Sequence, residues 1–319
     1  YVILKNGRML CQNCGLFGAK KSDFQRSTAR FNIGVDISDA FTFTGNTIYT
    51  SIDRRSINEN GLGSVLFNAL NIPPTFGVDQ EDVNGTLGNE IINPLSQIEN
   101  TFNDYNLNKF NGSFSLDYMP IDELTFTSRI GYSLSTSKGK DFAPIIDYGP
   151  GKVFNNVRST VNQNRINDNS YTYDLFGTYE NTFDETHHLT GTAGMTVIRN
   201  WGDGLYATGY DVPNNSWDFA DISLTTGTND GLNNSAYKYD IRKLSFFGRL
   251  QYDYKGKYLV SGMLRRDAST RFGPENRVGY FPSATAGWIL SEEDFLSDSN
   301  VISFLKLRGS FGILGNDEA

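Results

Sequence analysis

Apolar and polar residues alternate along most of this chain, in short runs in which every second residue is apolar. Phe31, Ile33 and Val35, for example, alternate with Asn32 and Asp36. Because successive side chains of a β-strand point to opposite faces, this period of two predicts strands with one apolar and one polar face. Similar runs lie at 41–50, 110–118, 124–135, 171–179, 189–197, 244–254, 258–264, 284–290 and 305–313.

Short and long connections alternate between these predicted strands. The short turns lie at Ser38, Pro120, Asp184 and Gly256. The long loops lie at 52–108, 136–169, 200–241 and 267–279. An outer-membrane barrel has short periplasmic turns and long extracellular loops, so we assign the two sets to those two sides. We also expect one short helix near 62–70. Counting how often the predicted strands cross the membrane places the connection 291–303 on the periplasmic side, with the short turns.

Two folds accommodate such strands, a membrane barrel and a β-sandwich. A barrel turns its apolar faces toward lipid, whereas a sandwich packs two apolar faces together. The long loops favour the barrel, and so do aromatic residues near the predicted strand ends, because such rings prefer the lipid–water boundary. These residues are Tyr49, Tyr118, Tyr132, Tyr171, Tyr179, Tyr252, Tyr254, Tyr258 and Trp288. We count about eleven strands, roughly half of the 22 that large outer-membrane transporters use.

Composition narrows the class further. The 319 residues include 32 glycines, 23 phenylalanines and 17 tyrosines, as expected for many strands joined by polar loops. No apolar run is long enough for a transmembrane helix. The net charge of −8 opposes binding to nucleic acid, whose phosphates favour clustered Lys and Arg. We interpret the acidic excess as solvated loops, with an acidic binding surface as the alternative.

The most specific stretch of the sequence spans 265–316. Its distinctive residues are Arg265, Asp267, Ser269, Arg271, Phe272, Gly273, Gly279, Tyr280, Phe281, Pro282, Gly287, Trp288, Leu305, Lys306, Arg308, Gly315 and Asn316. As a motif, this stretch resembles a barrel segment of the SusC/RagA-like branch of the TonB-dependent outer-membrane transporters. Two residues depart from the usual pattern of that branch, namely Ala268 in place of a frequent Gly and Thr285 in place of a frequent Ser.

The resemblance implies an all-β fold, namely an antiparallel transmembrane β-barrel segment with long extracellular loops. The outer surface of this segment would contact the lipid bilayer. It also implies a plug domain, a SusD-like surface lipoprotein as lid, and energy supplied through the TonB complex. The cargo would be an oligosaccharide or a peptide. Tyr1 begins no secretory signal and no closing strand follows Asn316. We therefore expect residues 1–319 to be an internal part of a barrel domain, without its signal peptide, plug and C-terminal strands.

Two other functions fit the same alternation. A passive porin or structural outer-membrane barrel would share the strands but lack a plug, and a secreted glycan-binding β-sandwich would bury the apolar faces in a protein core. A hydrolase is disfavoured, because the adjacent His187 and His188 lie in a predicted turn and no nucleophile motif accompanies them. We therefore expect a transporter rather than an enzyme, with no cofactor.

Two clusters have residue types that react or bind metal. Cys11 and Cys14 form one Cys-x-x-Cys pair, which supplies too few ligands for zinc and lacks the strand-to-helix context of a redox motif. A local disulfide or two inert thiols is the favoured interpretation. Asp79, Glu81 and Asp82 offer carboxylate oxygens that suit calcium, although their spacing fits no known calcium loop. Solvated charge is the favoured interpretation there.

Four aromatic residues in the predicted loop 200–241 are candidate substrate contacts. They are Trp201, Tyr206, Tyr210 and Trp217. Aromatic faces next to amide and carboxylate groups suit stacking on sugar rings or gripping a peptide. The alternative is that these rings staple a long loop to itself.

Overall fold

The computed structural model describes residues 6–7, 21–58, 61–77, 80–228, 234–296 and 301–317. These residues form one antiparallel sheet of eleven strands. The strands are β1 Asn6–Gly7, β2 Asp23–Ser38, β3 Phe41–Arg55, β4 Phe102–Ile121, β5 Leu124–Ala143, β6 Thr160–Phe183, β7 His187–Tyr210, β8 Ser235–Tyr254, β9 Tyr258–Ser269, β10 Val278–Ile289 and β11 Lys306–Gly312. Two helices, α1 Val65–Asn71 and α2 Pro94–Glu99, lie between β3 and β4.

Each strand pairs with the next strand in sequence, so the sheet is an up-and-down meander. The four predicted short turns are confirmed, and they lie at one end of the sheet together with the connection from β10 to β11. Two of these turns contain residues with positive φ, such as Asp184 at 49° and Gly256 at 66°, as tight turns require. The described residues contain no second sheet. The β-sandwich interpretation is therefore wrong.

The strands are longer than the alternation predicted. β6 and β7 have 24 residues each, whereas about 9–11 residues cross a membrane. The predicted long loops are wrong in extent, since strands occupy their ends, and the long connections are 56–101, 144–159, 211–234 and 270–277. The reason is chemical. Toward the loops both faces of a strand carry polar residues, so the period of two disappears while backbone pairing continues.

The register divides the sheet into two unlike faces. Directly opposed residues of an antiparallel ladder point to the same side of the sheet. Following these opposed pairs from strand to strand therefore identifies all residues that share one face. We call this set the outer face, and it includes Phe43, Leu116, Ile130, Leu175, Met195, Phe246, Leu250, Val260 and Ala284. We call the opposite set the inner face, where Ser, Thr, Asn, Gly and charged residues predominate.

Two levels of the outer face carry rows of aromatic rings, and further rings such as Phe43 and Phe114 lie between them. The lower girdle, near the short turns, consists of Phe41, Tyr118, Tyr179, Tyr258 and Trp288. The upper girdle consists of Tyr49, Phe110, Tyr171 and Tyr280. The girdle residues of β3, β4, β6 and β10 are eight positions apart. That spacing is about 27 Å along a strand and about 21 Å perpendicular to a membrane at a barrel tilt of about 40°.

The band between the girdles is apolar and its rings contact one another. In the described strands from β3 to β8, the outer face between the two levels carries no charged residue. The ring centroids of Phe43 and Phe114 are 6.1 Å apart, and those of Phe114 and Tyr132 are also 6.1 Å apart. A band of this height bounded by aromatic rings matches the predicted lipid-facing surface.

The predicted helix near 62–70 is confirmed as α1, which the Ser64 side chain caps by accepting a hydrogen bond from the Phe67 N–H. The sequence analysis missed α2. Its start carries the Asn93 cap followed by Pro94 in the first turn, which together form a helix-start signal. None of the described helices is long and apolar enough to cross a membrane.

Leu250 and Gln251 are adjacent residues that test the two faces. Leu250 lies on the outer face between the girdles and Gln251 on the inner face. In the full-length protein, Leu250→Arg should lower the free energy of unfolding by about 1–2 kcal/mol, because the cost of an outward arginine falls from its maximum at the bilayer midplane toward the lower girdle. Gln251→Arg should change it by no more than about 0.5 kcal/mol. Urea unfolding in lipid vesicles measures both values, and equal losses would contradict the division of faces.

Candidate functional site

The inner face is polar and internally hydrogen-bonded. Hydroxyl groups on one strand donate to carboxylates on the next, as Thr127 does to Asp117 (2.6 Å) and Thr196 to Asp174 (2.7 Å). Carboxylates and hydroxyls are costly to place in hydrocarbon but well suited to water. The inner face is therefore the surface on which a hydrophilic cargo can move.

Three tyrosines stack on the inner face, beyond the level of the upper girdle. The ring centroids of Tyr206 and Tyr237 are 6.4 Å apart, and those of Tyr237 and Tyr239 are also 6.4 Å apart. Tyr239 donates a hydrogen bond to the Asp168 carboxylate (2.9 Å). Glycine at position 204 permits this packing, because any side chain there would overlap the Tyr237 ring. We call these three residues the tyrosine ladder.

The four predicted loop aromatics do not share one loop. Trp201, Tyr206 and Tyr210 belong to β7, so their assignment to a loop is wrong, because the strand continues beyond the upper girdle. Trp201 lies on the outer face, where its ring is 6.0 Å from Tyr171 and 4.8 Å from the Arg199 guanidinium. Only Tyr206 joins the tyrosine ladder. Tyr237 and Tyr239 were missed, although their spacing of two is a strand signal.

Trp217 lies in a short 3-10 helix and packs into a small core outside the girdles. Its ring stacks on Phe102 at 6.0 Å, and the Lys140 ammonium lies 4.2 Å from its centroid. The buried members of this core are Phe142, Val161 and Ala220. Trp217 thus packs its loop against the strands, in line with the alternative interpretation that these aromatic rings hold a long loop in place.

Arg265, Asp267 and Ser269 of the motif form a hydrogen-bonded cluster on the inner face. Arg265 donates to the Asp267 carboxylate at 2.7 Å and to the Ser245 hydroxyl at 3.0 Å. Ser269 donates to Asp317, which also pairs with Lys243 at 2.7 Å. The segment after β11 is thereby joined to β8 and β9. The neighbouring motif residues Arg271, Phe272 and Gly273 lie in the connection between β9 and β10.

Phe281 explains two glycines of the motif. Its ring lies on the inner face against Gly279 and Gly315, and a side chain at Gly315 would overlap the ring. Gly315 and the adjacent Asn316 follow β11. The motif therefore describes a packed contact between the end of β11 and β10.

Trp288 of the motif is part of a second cluster, at the lower girdle. Its indole N–H and the Tyr258 hydroxyl both donate to one carboxylate oxygen of Glu293, at 3.0 and 2.7 Å. The hydrogen bond from Tyr258 is the main reason that the pKa of Glu293 lies below its usual value. The connection after β10 is thus fixed to the lower girdle. Tyr280 and Pro282 of the motif lie on the outer face like Trp288.

Lys306 and Arg308 of the motif project from β11 to the inner face near the short turns. They line a groove of about 520 Å³ together with Arg249. Gly287 lies beside Lys306, whose Cε would be 3.2 Å from a Cβ at that glycine. Leu305, the remaining motif residue, precedes β11 and is 41% exposed. These cations face the aqueous interior rather than lipid.

Asp82 is buried, so the favoured interpretation of this acidic cluster as solvated charge is wrong for Asp82. Its carboxylate is buried and lies 2.7 Å from the Lys152 ammonium, which is fully buried. Although burial opposes it, hydrogen bonding to Lys152 and Thr86 holds the pKa of Asp82 well below its usual value. The Lys152 ammonium group therefore occupies the position beside the carboxylate that a calcium ion would take in the alternative interpretation. Glu81 does not join it as a ligand, and Asp79 lies outside the described residues.

The two histidines contact a tyrosine and a glutamate on the neighbouring strands. Within the described residues, no group of three or more His, Cys, Asp or Glu side chains is placed to hold a metal ion. His187 Nδ1 lies 2.6 Å from the Tyr252 hydroxyl, and His188 lies 3.4 Å from the Glu180 carboxylate. Both histidines begin β7 rather than lying in a turn. Cys11 and Cys14 lie outside the described residues.

No family model matches the chain, but curated relatives and solved structures do. A TonB-dependent receptor of Formosa agariphila is 30% identical over 93% of this chain and 28% of its own length. The TonB-dependent receptor SusC of Bacteroides thetaiotaomicron is 29% identical over 93% of this chain and 30% of its own length. The RagAB peptide transporter matches in fold with a TM-score of 0.75 at 22% identity, covering 93% of this chain and 34% of that chain.

The sheet and its two faces define the class as an antiparallel transmembrane β-barrel segment, and the match to the RagAB structure confirms that fold. The resemblance inferred from the motif is also confirmed. Over about nine-tenths of its length the chain is similar to TonB-dependent receptors, SusC among them. It spans less than a third of the length of these curated relatives.

The Asp82–Lys152 pair should stabilise the contact between the loops 56–101 and 144–159. Lys152→Met in the full-length protein leaves a buried carboxylate without its cation, which costs about 3 kcal/mol or more. Amide exchange at Thr86 and Leu87, which both donate to Asp82, should then quicken about 100-fold. Lys238→Met, at an exposed lysine of β8, is the matched control and should leave exchange unchanged. Unaltered exchange in the Lys152 variant would show that the pair does not stabilise the loops.

Proposed function

We propose that this chain forms part of the barrel wall of an outer-membrane nutrient importer of the SusC/RagA type. One observation supports this most strongly: a single sheet has an apolar outer face bounded by two aromatic girdles and a polar inner face. The similarity to TonB-dependent receptors supports uptake that depends on TonB. In this proposal residues 1–319 belong to the barrel domain of a longer protein, whose other parts supply the plug and the contact with TonB.

The proposal includes a surface lipoprotein of the SusD type at the outer end of the barrel. The loops 56–101 and 144–159 form a packed unit there, joined by the Asp82–Lys152 pair and by the backbone hydrogen bond from Val153 to Asn89 (3.1 Å). A packed loop unit offers a partner a fixed surface, which lowers the entropic cost of binding. The protein would import oligosaccharides or peptides, and a peptide cargo is the one named for the RagAB transporter that this chain resembles in fold.

Energy dependence separates this importer from a passive porin. The test uses a strain that expresses the full-length protein and a deletion strain as the control, each given labelled oligosaccharides and peptides. We expect deletion to abolish uptake of one of these cargo classes. A protonophore, which collapses the inner-membrane gradient that drives TonB, should abolish the same uptake. Uptake that continues in the presence of the protonophore would support the porin alternative and contradict our proposal.

We further propose that the tyrosine ladder contacts the cargo. Tyr237 is 42% exposed on the inner face, and its ring is held between those of Tyr206 and Tyr239. Fixed aromatic faces bind sugars and peptides at a low entropic cost, because the rings are already ordered. The adjacent Asp168 accepts a hydrogen bond from Tyr239 and offers a second oxygen for a hydroxyl or amide group.

Substituting rings on the two faces of the wall tests this contact. Tyr237→Ala in the full-length protein should weaken cargo binding about tenfold, because a stacked ring contributes about 1–1.5 kcal/mol. Tyr237→Phe keeps the ring and should bind almost as the wild type does. Trp201→Ala removes a ring from the outer face of the neighbouring strand and should leave binding unchanged. Isothermal titration with the imported cargo measures each dissociation constant, and a larger effect at Trp201 than at Tyr237 would contradict the assignment.

A further inference from the structure

Three arginines project outward at the level of the upper girdle. Arg199 and Arg242 are directly opposed on β7 and β8, one position beyond the apolar pair Val197 and Leu244 on the same face. Arg266 lies on β9, eight residues from Tyr258 of the lower girdle, the spacing that separates the girdles elsewhere. The three guanidinium groups therefore border the apolar band where it ends.

One carboxylate serves two of these arginines. Arg199 donates to both oxygens of Asp240, each at 3.0 Å, and Arg242 donates to the same two oxygens at 3.2 and 2.7 Å. Directly opposed like charges repel across a ladder, and Asp240 compensates only one of the two. The Arg242 side chain is 62% exposed, so its remaining N–H groups face the surroundings of the barrel.

Arg266 is the charged residue nearest the apolar band. Phe246 and Tyr280 lie directly across from it on the two neighbouring strands. Among the ion pairs within the described part of the chain, none includes Arg266. A charge beside hydrocarbon is costly unless its head reaches the polar boundary and pairs there. The position therefore calls for an anion supplied from outside the chain.

We propose that Arg199, Arg242 and Arg266 form a surface that binds the phosphate groups of lipid headgroups next to the barrel wall. The inference rests on the membrane placement in the proposed function. Guanidinium groups bind phosphate through paired N–H donors, and the three groups carry two more positive charges than Asp240 compensates. Arg266 is directly opposite Phe246, which lies four residues from Arg242 along β8, about 13 Å. Arg266 therefore binds a separate phosphate.

The location decides between lipid and other anions. Cargo moves along the inner face, whereas these three side chains share the outer face with the girdles. The Trp201 ring, which stacks beside Arg199, is of a kind that prefers the headgroup region. An anion held there is therefore part of a molecule whose acyl chains cover the apolar band below it.

Binding of lipid A and of dephosphorylated lipid A to the full-length protein tests the proposal. We expect the wild type to prefer lipid A by about 25-fold, at about fivefold for each uncompensated guanidinium. Arg199→Gln, Arg242→Gln and Arg266→Gln, combined, should abolish the preference, and the corresponding Lys substitutions should retain most of it. Native mass spectrometry of the detergent-solubilised protein measures bound lipid.

The matched control removes three arginines from the inner face, at Arg129, Arg249 and Arg308. That variant should keep the wild-type preference. A preference that survives in the outer-face Gln variant would overturn the proposal. So would displacement of lipid A by inorganic phosphate at equal concentration, because the surface would then bind a free anion. Heat-dependent migration on a gel shows whether each variant is folded, and outer-membrane fractionation tests the proposed function separately from lipid binding.

Discussion

Backbone hydrogen bonding between each strand and its neighbour in sequence is the constraint on which the rest of this structure depends. In hydrocarbon an unpaired N–H or C=O group costs several kcal/mol, so strands that cross a membrane must pair along their whole embedded length. Continuous pairing fixes the register, and the register fixes which side chains share a face. A slip of one residue at β6 would move Leu175 inward and Asp174 outward.

The apolar band is the part of the fold that the sequence predicts well. Between the girdles, apolar outer-face residues such as Tyr173 and Leu175 follow polar inner-face residues, and the contrast between lipid and water imposes that alternation. Beyond the upper girdle the contrast ends, because both faces of a strand contact water. Asn167 and Asp203 are opposed there on the outer face, and nothing in the local pattern distinguishes such a strand from a loop. Only backbone hydrogen bonding to the neighbouring strand extends the strand there. Such pairing depends on two segments of the chain, so the residue pattern of one segment does not predict it.

The same distinction explains which parts of the candidate site were predictable. The motif lies within one stretch of the sequence, residues 265–316, so it could be recognised as a unit. Its contacts with Ser245, Lys243 and Tyr258 could not be predicted, because those residues lie outside the stretch. The tyrosine ladder instead joins β7 to β8, and Gly204 and Tyr237 meet only through the register. Asp82 looked like a cation ligand because its neighbours in sequence are acidic. Its actual cation, Lys152, is 70 positions away, and only the packing of two loops brings it there.

Because odd-numbered and even-numbered residues of a strand point to opposite faces, one strand can serve the aqueous interior with one set and the membrane with the other. Arg265 and Arg266 are adjacent in the motif, yet Arg265 pairs with Asp267 on the inner face while Arg266 projects among apolar residues on the outer face. A motif on a barrel strand therefore combines two patterns, one set by the aqueous interior and one by the membrane. The reason for each residue of the motif must therefore be sought on the face of the sheet to which its side chain points. Two neighbouring arginines of identical chemistry consequently differ in partner and in solvent.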